Sequence, residues 1–183
     1  MLFAKLLGSF IGEQTEEAIR EAIAAFSCKD KDVEIFLKNK AFDFERRNKS
    51  RTYLVFDSAG YVDGYFTILG YFTLSLKSLE FRESLSKNKI KDIDGFSKEV
   101  SGVAIAMIGQ LGKDENNANN ISGKDLLDLC MSKVHQVKNV IGGRYVLIEC
   151  HDIEKVVGFY HANDFERLQL DKSDNYLQMV KRL

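Results

Sequence analysis

The stretch from Gly102 to Cys150 constrains this chain most. Gly102 to Leu111 is a near-continuous apolar run, the pattern of a central strand buried on both faces. An Asn-rich loop follows from Gly112 to Ser122. From Gly123 to Val140 the apolar residues Leu126, Leu127, Cys130, Val134 and Val137 recur at helical spacing. Gly142-Gly143 supplies the expected helix stop, and Arg144 to Cys150 is again strand-like. Strand, loop, helix and strand in that order predict a right-handed crossover and a partly parallel sheet.

The rest fills in around this unit. Leu2 to Leu7 reads as an opening strand. Thr15 to Phe26 reads as a helix with Ile19, Ala22, Ile23 and Phe26 on one face, and Asp32 to Arg47 as a second with Val33, Phe36, Leu37, Ala41 and Phe44 aligned. Thr52 to Phe56 is a short β run, with a turn at Ser58-Ala59-Gly60. Thr67 to Leu76 is the longest β-type stretch, and its alternation of Tyr71, Thr73 and Ser75 against Phe72, Leu74 and Leu76 suggests one wetter face. Residues 82–99 are polar and irregular, an exposed excursion of the kind that lies over binding sites. Ile153 to Ala162 is the next helix, with Ile153, Val156, Val157 and Tyr160 on its apolar stripe. Tyr176 to Val180 is a last strand.

Bulk properties exclude some classes. The chain has 183 residues, enough for one domain with a proper core and short for two. The net charge of −1 argues against a polyanion-binding surface spread over the whole molecule. Cys28, Cys130 and Cys150 lack metal-like spacing and sit in or beside apolar runs, as buried free thiols do, which fits a reducing, cytoplasmic setting. No run is long enough to span a membrane. Met1 to Phe10 lacks the basic start and small-residue cleavage site of a signal peptide. Proline is absent, so Gly, Asn and Asp make the turns.

Two segments resemble a known family. The run Ile108-Gly109-Gln110-Leu111-Gly112-Lys113-Asp114, the loop after it, and Ser122-Gly123-Lys124-Asp125-Leu126-Leu127 resemble the acetyl-CoA-binding motif of the GNAT N-acetyltransferases. Tyr145 to Phe165 resembles that family's next strand and helix, including its Phe-Tyr pair at Phe159-Tyr160. The resemblance is strongest to the branch containing toxin acetyltransferases that act on aminoacyl-tRNA. It extends over Phe36 to Ala41, Ser50 to Val55 and Gly70 to Leu74. It implies a mixed α/β fold: one GNAT-like domain over 1–183, a central, partly splayed mixed sheet, and helices on both faces. Residues 1–25 would be an N-terminal extension of that domain. The family loop motif, Gln/Arg-x-x-Gly-x-Gly/Ala, aligns here with Ala118-Asn119-Asn120-Ile121-Ser122-Gly123, of which only the last glycine is kept. Ile153 stands where the family has Asn. Asp164 stands where it has Gly, although Asn163 and Asp164 tolerate left-handed geometry.

The resemblance implies acetyl-CoA as cosubstrate, bound by Gln110, Leu111, Gly112 and Lys113 and by Asn119, Asn120, Ile121, Ser122, Gly123, Lys124 and Asp125. Its diphosphate needs backbone N–H donors, which a loop entering a helix N-terminus provides. Lys124 is a candidate counter-charge, and Asp125, awkward beside phosphate, is a candidate helix cap. Gly109 to Lys113 would offer a strand edge to the pantetheine arm, with Gly112 marking a bulge. A backbone N–H near Leu111 would stabilise the oxyanion. Tyr160 would donate to the departing thiolate. Glu149 and His151 are candidates for a base, although structural or solvent-facing roles fit both residues better. An aminoacyl-ester amine, with a pKa of about 7–8, would need no strong base.

Plainer readings stand beside these. Tyr160 alone reads as a core aromatic with its hydroxyl tied to backbone, and the strand before it and the loop upstream put the catalytic reading ahead; Ser122-Gly123 alone reads as a helix start. His135 and His161 have no ligand partner at metal spacing and read as surface residues; no metal is expected. Glu13, Glu16 and Glu17 read as a solvated helix face. Lys38 to Arg51 holds six basic residues against two acidic ones, an exposed helix face or a cradle for CoA phosphates or an RNA backbone.

The preferred function is a soluble acetyl-CoA-dependent N-acetyltransferase, an acyltransferase acting on an unidentified primary amine. One alternative is toxin-like acetylation of aminoacyl-tRNA, with tRNA and an antitoxin-like protein as partners. Another is a non-catalytic CoA-binding module. Homodimers are frequent in the resembled family.

Overall fold

The computed structural model describes all residues except 59, 60, 63, 64, 172, 174 and 175, and not the side chains of residues 62 and 65. The elements are β1 (Leu2–Leu6), a 3-10 turn (Leu7–Ser9), α1 (Glu16–Ala25), α2 (Lys31–Asn39), α3 (Ala41–Arg46), β2 (Arg51–Asp57), β3 (Tyr61–Val62), β4 (Tyr65–Phe66) and β5 (Gly70–Glu80). They continue with α4 (Lys87–Asp94), β6 (Gly102–Lys113), α5 (Gly123–Ile141), β7 (Tyr145–Cys150), α6 (Glu154–His161), β8 (Glu166–Leu170) and β9 (Leu177–Arg182).

Seven strands hydrogen-bond in the order β1-β2-β5-β6-β7-β9-β8, and β3 and β4 form a separate two-stranded antiparallel sheet. The β6–β7 pair is parallel, as the crossover through α5 requires, while β1–β2, β2–β5, β7–β9 and β8–β9 are antiparallel. The chain packs as two compact units, Met1–Ser75 with Gln110–Ser132, and Leu76–Gly109 with Lys133–Leu183.

In the first unit, Leu7, Phe10, Ile19, Ile23, Phe26, Leu37, Leu54, Phe56 and Tyr71 form the core. Aromatic edges meet faces between Phe26 and Tyr71 at 5.7 Å and between Phe10 and Phe66 at 5.7 Å. The buried Tyr71 hydroxyl donates to the Val33 carbonyl, and burial pushes this phenol far above its usual range. Helix starts follow their caps: Asp30 accepts from the Asp32 and Val33 N–H groups at the head of α2.

In the second unit, Leu79, Phe81, Ile90, Ile93, Ile105, Tyr145, Leu147 and Val180 form the core. Ser86 caps α4 through the Lys89 N–H, and Gly95 ends it at φ 91°.

Several expectations are corrected. The helix expected over 32–47 is two, broken at Lys40 (φ −122°, ψ −27°), which lets Phe42 and Glu45 turn inward as well as Leu37 and Ala41. The strand expected from Thr67 begins at Gly70 and runs on to Glu80. It has no wetter face as far as Leu74: Tyr71 and Thr73 are as buried as Phe72 and Leu74, because β5 is an inner strand. Residues 82–99 hold α4, whose Ile90 and Ile93 are core residues rather than an exposed excursion. β8 was not anticipated. Ile153 is not on a buried stripe; it precedes α6 and is 54% exposed. Glu16 belongs to no free solvated face, since it holds Arg20 at 2.6 Å and Arg46 at 3.2 Å. The turn expected at Ser58-Ala59-Gly60 lies mostly outside the described residues.

Other expectations hold. All three cysteines are buried and free, His135 and His161 are exposed, and Gly142 and Gly143 end α5 at positive φ. Among the described residues no helix is long and apolar enough to cross a membrane.

Candidate functional site

The β6–β7 ladder pairs Ala106 with Val146, Met107 with Leu147 and Ile108 with Ile148, and among the described residues it goes no further. β6 nevertheless continues as strand to Lys113. Gly112 is needed for close approach: a Cβ there would fall 2.5 Å from Val33 Cγ1 and 3.2 Å from Cys28 Sγ.

The loop after β6 is braced from its first two residues. Asp114 is 2% exposed and its carboxylate accepts from the Ser27 N–H (2.8 Å), Asn117 Nδ2 (2.8 Å) and Asn116 Nδ2 (3.4 Å). The Asp114 N–H donates to the Leu69 carbonyl at 2.8 Å and the Glu115 N–H to the Ser27 carbonyl at 2.7 Å. Lys113 Nζ donates to the Ala118 carbonyl at 2.9 Å and reaches the Ile121 carbonyl at 3.5 Å. Ile121 is buried, 3% exposed, so the residue standing at the family's middle glycine anchors the loop from within.

α5 then starts with a reciprocal cap. The Asp125 carboxylate accepts from the Ser122 N–H (3.1 Å) and hydroxyl (2.6 Å), while Ser122 Oγ accepts from the Asp125 N–H at 3.0 Å. These bonds hold the Asp125 carboxyl below its usual range, the Ser122 hydroxyl contributing most. Asp125 is thus a helix cap. Lys124, the candidate counter-charge, pairs instead with Asp128 at 2.6 Å. Asn119 and Asn120 are exposed, Gln110 and Leu111 half-buried.

Tyr160 lies on the last turn of α6, half-buried, with its ring 5.1 Å from Phe159 and 5.6 Å from Phe165. Its carbonyl accepts from the Asn163 and Phe165 N–H groups, a turn completed by Asp164 at φ 65°. Val157 beside it is buried.

Glu149 is engaged. It accepts from Lys77 Nζ and, at 2.8 Å, from Gln178 Nε2. Asp171 joins the same two groups, at 3.3 Å from Lys77 Nζ and 2.8 Å from Gln178 Nε2. The Ser173 hydroxyl and N–H, with Lys77, hold the Asp171 carboxyl far below its usual range. His151, the other base candidate, is exposed and lies 4.7 Å from the Tyr176 ring.

Sequence reasoning missed the bracing by Lys113 and Asp114 and the Lys77–Glu149–Asp171–Gln178 cluster. The Asn-rich composition after Asp114 was the available signal for the first. The second gives none, because its members are 72 residues apart from Lys77 to Glu149 and 94 from Lys77 to Asp171. The basic stretch 38–51 is partly neutralised: Lys38 pairs with Glu34, Arg46 with Glu16, and Arg51 with Glu45.

No family model matches the sequence, and no curated protein does. Solved structures do. AtaT complexed with acetyl-methionyl-tRNAfMet has a TM-score of 0.70 at 20% identity, over 97% of this chain and 94% of that one. A tyrosine-to-phenylalanine mutant of KacT has a TM-score of 0.70 at 22% identity, over 97% and 93%. A tyrosine-to-phenylalanine mutant of the AtaT toxin, bound to the C-terminus of the antitoxin AtaR and acetyl-CoA, has a TM-score of 0.65 at 17% identity, over 97% and 92%. The likeness at these identities is one of fold, and the fold of this chain is the GNAT-like fold of the AtaT and KacT toxins.

Proposed function

We propose that this protein is an acetyl-CoA-dependent N-acetyltransferase that transfers the acetyl group directly to a primary amine. The observation that carries this is the parallel β6–β7 ladder, which ends at Ile108 and Ile148 while β6 runs on to Lys113 and into a braced loop and capped helix. Strand edge beyond the ladder suits an amide-bearing pantetheine arm, and the loop with the head of α5 suits a diphosphate. The fold shared with an acetyl-CoA-bound toxin supports the same assignment.

In this reading the neutral amine attacks the thioester carbon and the C–S bond breaks as the tetrahedral intermediate collapses. Tyr160 delivers its proton to the departing CoA sulfur. The amine proton leaves to water. Isothermal titration with acetyl-CoA, followed by thiol release in the presence of an amine panel, tests the proposal; folded protein that neither binds acetyl-CoA nor releases thiol ends it.

For the acceptor, the likeness to AtaT complexed with acetyl-methionyl-tRNAfMet favours aminoacyl-tRNA. An α-amino ester loses its proton near neutrality, so this acceptor needs no strong base. An antitoxin-like protein is then a partner to seek. Mass spectrometry of aminoacyl-tRNA incubated with the protein and acetyl-CoA decides between this acceptor and another amine. A cytoplasmic setting and a single functional domain over 1–183 are part of the same proposal.

A further inference from the structure

We propose that the Lys113 side chain is the positioning residue for the acetyl-CoA diphosphate, shaping the loop and balancing ligand charge through it. The inference rests on the acetyltransferase reading and adds a role for one side chain to it.

Shape comes first. The family motif relies on glycines for the loop's conformation, and here Ala118 and buried Ile121 stand at two of its positions. Something else must fix the peptide planes. Lys113 Nζ collects the carbonyls of Ala118 (2.9 Å) and Ile121 (3.5 Å). In a trans peptide the C=O and the following N–H point opposite ways. Drawing both carbonyls to one ammonium therefore turns the Asn119 and Ser122 N–H groups to the other side of the loop. The Ser122 N–H is taken there by the Asp125 carboxylate at 3.1 Å, which leaves the Asn119 N–H as the donor that Lys113 turns toward a diphosphate.

Charge is the second observation. The other cations along this segment have carboxylate partners, Lys124 in Asp128 at 2.6 Å and Lys29 in Glu115 at 3.6 Å. Among the described residues Lys113 meets only carbonyl oxygens and forms no ion pair. Lys113 is a partly buried residue, and its positive charge behind the loop attracts a diphosphate bound on the far side. The cation the ligand needs is thus Lys113, behind the loop, and not Lys124 on its surface.

The test compares two acetyl donors on wild type and Lys113→Met: acetyl-CoA, and S-acetyl-N-acetylcysteamine, which has the thioester and no diphosphate. The expected result is a KM for acetyl-CoA raised about tenfold with kcat within about twofold, the scale of losing a charge-assisted hydrogen bond. The KM for the short donor stays unchanged, and Lys113→Arg recovers most of the affinity for acetyl-CoA. Equal losses with both donors, or no loss with either, overturn the proposal and leave the acetyltransferase reading standing. Wild type that fails to bind acetyl-CoA overturns both. Should Lys113→Met not fold, Lys113→Gln, which keeps a donor and removes the charge, carries the same comparison.

Discussion

The Ser27 N–H donates to Asp114 Oδ1 at 2.8 Å, closing 87 residues of sequence with one buried carboxylate. Asp114 is also the acceptor for Asn116 and Asn117. Replacing it with Ala leaves a backbone N–H and two amides without their acceptor. Asp114→Ala is expected to lose about 1–3 kcal/mol in urea unfolding, with Asp114→Asn between the two. A midpoint equal to wild type in Asp114→Ala would show that the carboxylate does not anchor the loop.

Tyr160→Phe removes the hydroxyl and keeps the ring contacts with Phe159 and Phe165. If Tyr160 is the acid, kcat falls by about 10²–10⁴-fold while the calorimetric Kd for acetyl-CoA is unaltered. A variant with full kcat would remove Tyr160 from the chemistry.

Glu34 accepts from Lys31 Nζ (2.8 Å), the Cys28 N–H (2.9 Å) and Lys38 Nζ (2.9 Å). These bonds, that to Lys31 first, depress its carboxyl from 4.5 to about 2. A depressed carboxylate contributes stability that is fully present above its unfolded pKa and is lost as pH falls through the folded one. Glu34→Gln should therefore lower stability at neutral pH and flatten the acid limb between about pH 4.5 and 2. Parallel pH–stability curves for the two proteins would contradict this.

At Gly112 an added methyl meets Val33 Cγ1 at 2.5 Å and Cys28 Sγ at 3.2 Å. Gly112→Ala should cost about 1–3 kcal/mol through overpacking. Gly142, whose Cβ direction is empty but whose φ is 79°, is a control in which strain rather than packing would act. Val33→Ala opens space beside residue 112 and should partly rescue Gly112→Ala. Strict additivity of the two changes would place the strain elsewhere.

The legible parts of this fold were those written in local pattern. The apolar run of β6, the 3.6-residue repeat of α5 and the glycines at 142 and 143 are each a local signal, and together they force the parallel β6–β7 pair. Ser122 and Asp125 carry the spacing of a capping box within four residues. β8 was illegible for a local reason too: Glu166-Arg167-Leu168-Gln169-Leu170 is an edge strand, and edges carry charges that hide the β period.

By itself the sequence determined the strand, helix and strand from β6 to β7, the crossover they require, and the resemblance that proposes acetyl-CoA. Only the tertiary structure decided what each charged side chain near the candidate site does. It bound Glu149 to Lys77, turned Lys113 onto the Ala118 carbonyl, buried Asp114 against Ser27 and gave Asp125 to Ser122 as a cap. The reason is physical: periodicity depends on neighbours along the chain, whereas a buried charge must find its partner wherever folding brings one, up to 94 residues away for Lys77.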